Sequence, residues 1–215
     1  MLKQENSAFL SGFVIALAAF CYSTLNGTVA GALLFSFGLI TVVLYKWRLY
    51  TGSAGFVMNI NEVRELVPIL FFNMLGCFFA SLIFSTFAAE KHDLFISNAI
   101  ELRKCKDYYD LLPITLKSIC CGFIMTVAVR NARKGIESGF HNFIPLLLGV
   151  PVFLLSGFFH SIVDAFYISY GWLRGLDAME TTLGLCQAIT GWVCVVIGNF
   201  IGCNLIRIVM VEKTA

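Results

Sequence analysis

Charge is what this sequence has least of. Only 13% of its 215 residues are charged, against 59% hydrophobic residues, and the mean hydropathy is +0.84. A soluble globular domain carries roughly 25% charge, so a water-soluble enzyme or signalling module is excluded. The formal net charge is +2, and no run of Lys and Arg interleaves with aromatic residues; this excludes a nucleic-acid-binding surface. Proline is scarce, at 4 residues, which leaves long helices few interruptions. No GxSxG elbow is present for nucleophilic hydrolysis, and no Asn-Pro-Ala turn of the kind used by neutral-solute pores. The 8 cysteines include no CxxC pair, and all but Cys105 lie in apolar segments. They read as small packing residues, not as a disulfide framework or metal site. The opening MLKQENSAFL lacks the compact apolar core and small-residue cleavage site of a signal peptide, and is expected to be a cytoplasmic tip.

What remains is a succession of long apolar runs. A membrane-crossing helix needs about 20 mostly apolar residues, and six candidates fit: about Ala8–Leu25, Thr28–Tyr45, Pro68–Ala88, Pro113–Val129, Phe143–Trp172 and Leu183–Val211. Pro68, Pro113 and Pro145 are expected at or near helix starts. With the N-terminus inside, the inside loops collect Lys46, Arg48, Arg64, Arg130, Arg133 and Lys134, while the outside loop 89–112 balances its bases with acids. The positive-inside rule then places both termini in the cytoplasm.

Two internal matches suggest a duplication. SGFVIALA (11–18) resembles CGFIMTVA (121–128), and NMLGC (73–77) resembles NFIGC (199–203). They pair segment one with four and segment three with six. Three spans per half force the halves into opposite orientations, the inverted-repeat plan that puts a substrate path between the halves. The fold class is therefore an all-α membrane protein. It is expected as a single transmembrane domain, 1–215, of six helices in half-repeats at about 8–88 and 113–211. The second and fifth segments should be broken. In the second, Gly52 and Gly55 flank small polar residues in KWRLYTGSAGF; the fifth carries Gly149, Pro151 and Gly157. Unwound backbone at membrane depth is tolerated only against protein or a watery cavity.

Just beyond the fifth-segment glycines, GFFHSIVDAFYI (157–168) places His160 and Asp164 four residues apart in an apolar run. An ionisable group at membrane depth is costly and marks a functional site. No third ligand accompanies the pair, so a metal site is not indicated, and no third catalytic group supports an intramembrane enzyme. No cofactor is called for. Asp164, one helical turn from His160, either orients the imidazole or packs neutral against a neighbouring helix.

LYTGSAG, GFFHS and IGNFIG together resemble the formate/nitrite transporter family, and the likeness extends from the first segment to the sixth. The resemblance implies a pentameric anion channel of the bacterial inner membrane, each subunit aquaporin-like in outline. It puts Thr51 at the family's loop threonine and His160 at its central histidine. Phe35 and Phe153 fall on aromatic gate positions, and Leu39 and Leu49 on apolar pore positions. Asn199 falls on the sixth-helix asparagine, expected as a partner of the histidine. The sequence departs from the family's GFEHS at Phe159, and Asp164 stands where the family has asparagine. The family's lysine before segment five falls on Asn142, with His141 beside it. The implied partners are small monovalent weak-acid anions such as formate, nitrite or hydrosulfide, with or without a proton, together with lipid and four further copies of the chain. An imidazole ordinarily titrates near pH 6.5, which suits a group that polarises or protonates an anion between two apolar constrictions. A neutral-solute pore, an intramembrane enzyme and a purely structural membrane protein are the alternatives.

Overall fold

The computed structural model describes residues 2–137 and 142–209, and among these every regular element is helical. Backbone hydrogen-bonding groups inside lipid must be satisfied within the segment, and helices do this. Four helices are long and apolar enough to cross a membrane: α1 (Leu2–Thr24), with α2 (Val29–Leu44) and α3 (Tyr50–Ala54) following it, then α4 (Ile60–Ser85), α5 (Glu90–Glu101), α6 (Leu111–Glu137), α7 (Ile144–Leu155), α8 (Ser161–Arg174) and α9 (Thr182–Val209), the crossing four being α1, α4, α6 and α9. The apolar α2 and α7 have 16 and 12 residues. At 1.5 Å per residue they are about 24 and 18 Å long, short of a hydrocarbon core of about 30 Å.

Both short helices stop in the same way. At the end of α2, Lys46 takes φ +54°, its amide donates to Val43 O, and the Trp47 amide reaches back to Val42 O. At the end of α7, Gly157 takes φ +68°, its amide donates to Leu154 O, and the Phe158 amide to Phe153 O. This is the Schellman arrangement, which satisfies otherwise orphaned carbonyls. After two more extended residues the chain turns back into helix, at α3 and at α8.

The details correct three expectations. The first interruption spans Tyr45–Leu49, upstream of the TGSAG glycines, and TGSA itself is helical in α3. Pro151 lies inside α7 without ending it. Pro68 also lies inside a helix: α4 begins eight residues earlier, because the Asn59 side chain accepts the amides of Asn61 and Glu62 as an N-cap.

α1 packs along α4, and α6 along α9. Glycine permits the close approach. A Cβ on Gly12 would lie 1.9 Å from the Asn73 carbonyl oxygen, and one on Gly122 would lie 2.3 Å from that of Asn199. Between these pairs sit α2 against α7, and α3 and α8. One face of the bundle gathers Gln4, Arg48, Gly52, Val57, Arg133 and Arg207 through hydrogen bonds. The opposite face gathers Thr24, Ser85, His92, Asp93 and Arg174, with α5 lying across it.

Candidate functional site

The two interruptions are clamped by two asparagines. Asn199 of α9 accepts from the Ser161 amide (2.8 Å) and donates to the carbonyls of Phe159 (2.9 Å) and Ser118 (2.8 Å). Asn73 of α4 accepts from the Tyr50 amide (2.8 Å) and donates to the carbonyls of Arg48 (3.0 Å) and Ala8 (2.6 Å). Each clamp ties the residues on either side of a central one, His160 in one case and Leu49 in the other. Cysteine thiols repeat the pattern: Cys77 donates to Gly12 O and Ile162 O, Cys203 to Gly122 O and Thr51 O, all at 3.4 Å. Asn199 therefore holds the backbone around the histidine and does not touch its ring. Asn73 sits in the NMLGC match, so its signal was already in the sequence.

His160 is the N-cap of α8, and its Nδ1 accepts the Val163 amide at 3.4 Å. A nitrogen that accepts carries no proton, so the ring N–H is on Nε2. Nε2–H donates to the Thr51 hydroxyl at 3.0 Å, which leaves that hydroxyl its own proton to give. His160 is 2% exposed and Thr51 fully buried. Phe153 stacks on the imidazole with centroids 5.6 Å apart, and Phe35 meets Phe153 edge-on at 6.1 Å. Leu39 and Leu49 are buried in the main hydrophobic core, to which Phe35 and Phe153 also belong. Thr51, His160, Phe153 and Phe35 thus form one chain of contacts: two hydrogen-bonding groups set among apolar rings. Such a place can offer directed N–H and O–H donors to one small solute while excluding bulk water.

Asp164 pairs elsewhere. Arg103, which follows α5, donates from Nε to Asp164 Oδ1 at 2.5 Å and from Nη1 to Ala99 O at 2.6 Å. Its guanidinium carbon lies 4.6 Å from the Phe159 ring centroid and 5.4 Å from that of Tyr167, and the Lys117 ammonium lies 5.0 Å from the Phe159 centroid. Where the resemblance implies an acid, an aromatic ring thus faces two cations. No spacing in the sequence announced Arg103. Asn142 is not part of this group: it bonds the Ile144 amide at the start of α7, a helix length away from His160. His141 lies outside the described residues. Among the described residues no three metal-binding side chains gather.

On the face with the N-terminal residues, a cavity of about 310 Å³ is lined by Lys46, Arg48, Phe56, Glu62, Glu65 and Arg133, among others. Arg133 stacks over Phe56 at 4.5 Å and donates to Gly52 O at 3.2 Å, beside Thr51. On the opposite face Asp93 receives Arg174 Nη2 at 2.6 Å and the Tyr170 hydroxyl at 2.8 Å. Partial burial pushes the Asp93 carboxyl up, but the bonds from Arg174 and Tyr170 outweigh it and hold the group below its ordinary 3.8.

Comparison with known proteins gives a consistent picture. A sequence model described as "Formate/nitrite transporter" matches residues 2–213. Among solved structures, one described as a pentameric formate channel with formate bound superposes with a TM-score of 0.77 at 21% identity, covering 94% of this chain and 92% of that one. A second, described as an FNT family ion channel, superposes with a TM-score of 0.77 at 16% identity, covering 95% and 86%. At these identities the likeness to solved structures concerns the fold. No curated protein sequence matches.

Proposed function

This chain belongs to the formate/nitrite transporter family, and from that premise we propose that it is a channel for small monovalent weak-acid anions, with formate, nitrite and hydrosulfide as candidate substrates. The observation that carries the reading is the buried Thr51–His160 contact, with Phe153 stacked on the imidazole and Phe35 on Phe153; Leu39 and Leu49 are assigned to the constrictions with them. A bare anion in an apolar constriction costs many kcal/mol of lost hydration. An anion arriving here displaces the Thr51 oxygen from the His160 Nε2–H and accepts from both that N–H and the Thr51 hydroxyl, at the point where water is excluded, so His160 polarises the anion. If it also protonates the anion, the ring must first take a proton from one of the mouths and then hand it on; the substrate then crosses the apolar rings as the neutral acid.

The same reading treats α2 with α3, and α7 with α8, as the interrupted second and fifth of six transmembrane segments. The matching stops at Lys46 and Gly157 and the matching Asn73 and Asn199 clamps support two inverted halves, about 8–88 and 113–211, in a single transmembrane domain with an aquaporin-like outline. Lys46, Arg48, Arg133 and Arg207 on one face support an inner-membrane protein with both termini in the cytoplasm. The formate channel of similar fold is pentameric, which supports a homopentamer. Exposed Leu33, Leu34, Phe37, Phe71 and Leu148 offer apolar surface to lipid and to neighbouring copies.

The test is uptake of formate, nitrite and hydrosulfide into liposomes holding the purified protein, at pH 7.5 and pH 5.5, beside glycerol. Anion uptake above that of empty liposomes, with glycerol excluded, is the expected result. Glycerol permeation without anion uptake would instead identify a neutral-solute pore.

A further inference from the structure

Arg103 is unusual in its placement. It follows a helix lying across the face of the bundle, yet its side chain is only 15% exposed and its partner carboxylate 1%. The segment carrying it is pressed onto α9: a Cβ on Gly191 would lie 1.9 Å from Arg103 O, and the Cys105 amide donates to Gln187 O. From there the guanidinium reaches Asp164, one helical turn after His160, while covering the ring of Phe159, the residue before it. Asp164 Oδ2 has no hydrogen-bond partner, and a cavity of about 10 Å³, room for about one water, is bordered by Asp164, Arg103, Tyr167 and Trp192. The second carboxylate oxygen is therefore left uncompensated by protein donors, and the Arg103 charge is its main balance.

Around Phe159 stand Arg103 and Lys117, both positive, and Asp164, negative. Asp164 alone would repel an anion approaching His160; Arg103 cancels it and leaves the Lys117 charge in excess. We propose that Arg103 and Asp164 form a charge-setting pair that fixes the net potential at His160 and so sets the affinity of that site for anions, with Arg103 acting through Asp164 and Phe159 as a positioning residue. The inference rests on the anion-channel reading above.

A double-mutant cycle of Arg103→Gln and Asp164→Asn, read as KM and Vmax for formate uptake into liposomes, tests it. Arg103→Gln removes one positive charge and raises KM about tenfold. Asp164→Asn removes the negative charge and lowers KM several-fold. The double variant restores the original charge and returns KM to within about twofold of the unaltered protein. A merely structural tie predicts otherwise: both single variants impair uptake in the same direction, Asp164→Asn included, because each leaves a buried charge unpaired. That pattern overturns the proposal. If a single variant does not assemble, Lys117→Gln decides, because it removes a positive charge from beside Phe159 without touching the tie: a raised KM supports the proposal and an unchanged KM overturns it. Absence of formate, nitrite and hydrosulfide uptake by the unaltered protein overturns the channel reading and this inference with it; uptake with same-direction shifts overturns this inference alone.

Discussion

Replacing Asn199 with alanine tests the physical basis of the interrupted helix. The side chain is fully buried and makes three hydrogen bonds. Removing it strands the Ser161 amide, at the first residue of α8, and the Phe159 carbonyl, in the extended turn, neither of which has a helical partner. A buried polar group left unpaired costs about 1–3 kcal/mol. The Ser118 carbonyl keeps its place in the α6 ladder and loses less. The two stranded groups together cost about 2–6 kcal/mol, reduced by whatever water enters the space. Unfolding in mixed detergent and sodium dodecyl sulfate micelles, followed by tryptophan fluorescence, measures it. Trp192 donates from its indole nitrogen to Ser161 O at 2.8 Å and so reports from the clamp itself. Asn73→Ala, which strands Tyr50 N and Arg48 O by the same geometry, should cost as much within about 1 kcal/mol. A loss under about 0.5 kcal/mol for Asn199→Ala, too small for even one stranded group, would refute the view that these asparagines hold the broken helices.

Thr51→Val removes the acceptor of the His160 Nε2–H and should cut anion uptake at least tenfold, while Thr51→Ser retains most of it; uptake rates of the two variants in liposomes check this. Gly122→Ala forces a methyl against the Asn199 carbonyl and should cost about 1–3 kcal/mol in the unfolding assay. Gly52→Ala, whose Cβ would meet nothing closer than Leu49 at 3.6 Å, should be close to neutral in the same assay. The Asp93 carboxyl is held below its unfolded value by Arg174 and Tyr170. Its contribution is present above about pH 4 and lost as pH falls through the lowered native value, so the melting temperature of the unaltered protein should fall further than that of Asp93→Asn between pH 6 and pH 3.

Much of this arrangement was written locally in the chain. The NMLGC and NFIGC matches contain the two clamping asparagines, the thiols that follow them and the glycines at helix crossings, because each clamp needs an amide side chain beside a close helix approach. His160 stood out because an imidazole amid Phe, Ile and Val has no packing reason to be there. The first interruption was displaced because its left-handed residue is Lys46, whereas glycine is the usual marker of that conformation. Counting along the chain put the family's lysine position on Asn142, and the whole of α7 separates that residue from His160. Arg103 was not legible at all. Its meaning depends on a contact 61 residues away, through a polar loop that in sequence resembles any solvated one.

The most direct test is formate uptake by His160→Phe, with its oligomeric state compared with that of the unaltered protein by size-exclusion chromatography. Phenylalanine keeps the stacking on Phe153 and removes both ring nitrogens. The account predicts an assembled protein whose uptake falls to that of empty liposomes at both pH 7.5 and pH 5.5. Uptake by the assembled variant equal to that of the unaltered protein, with the same dependence on pH, contradicts it.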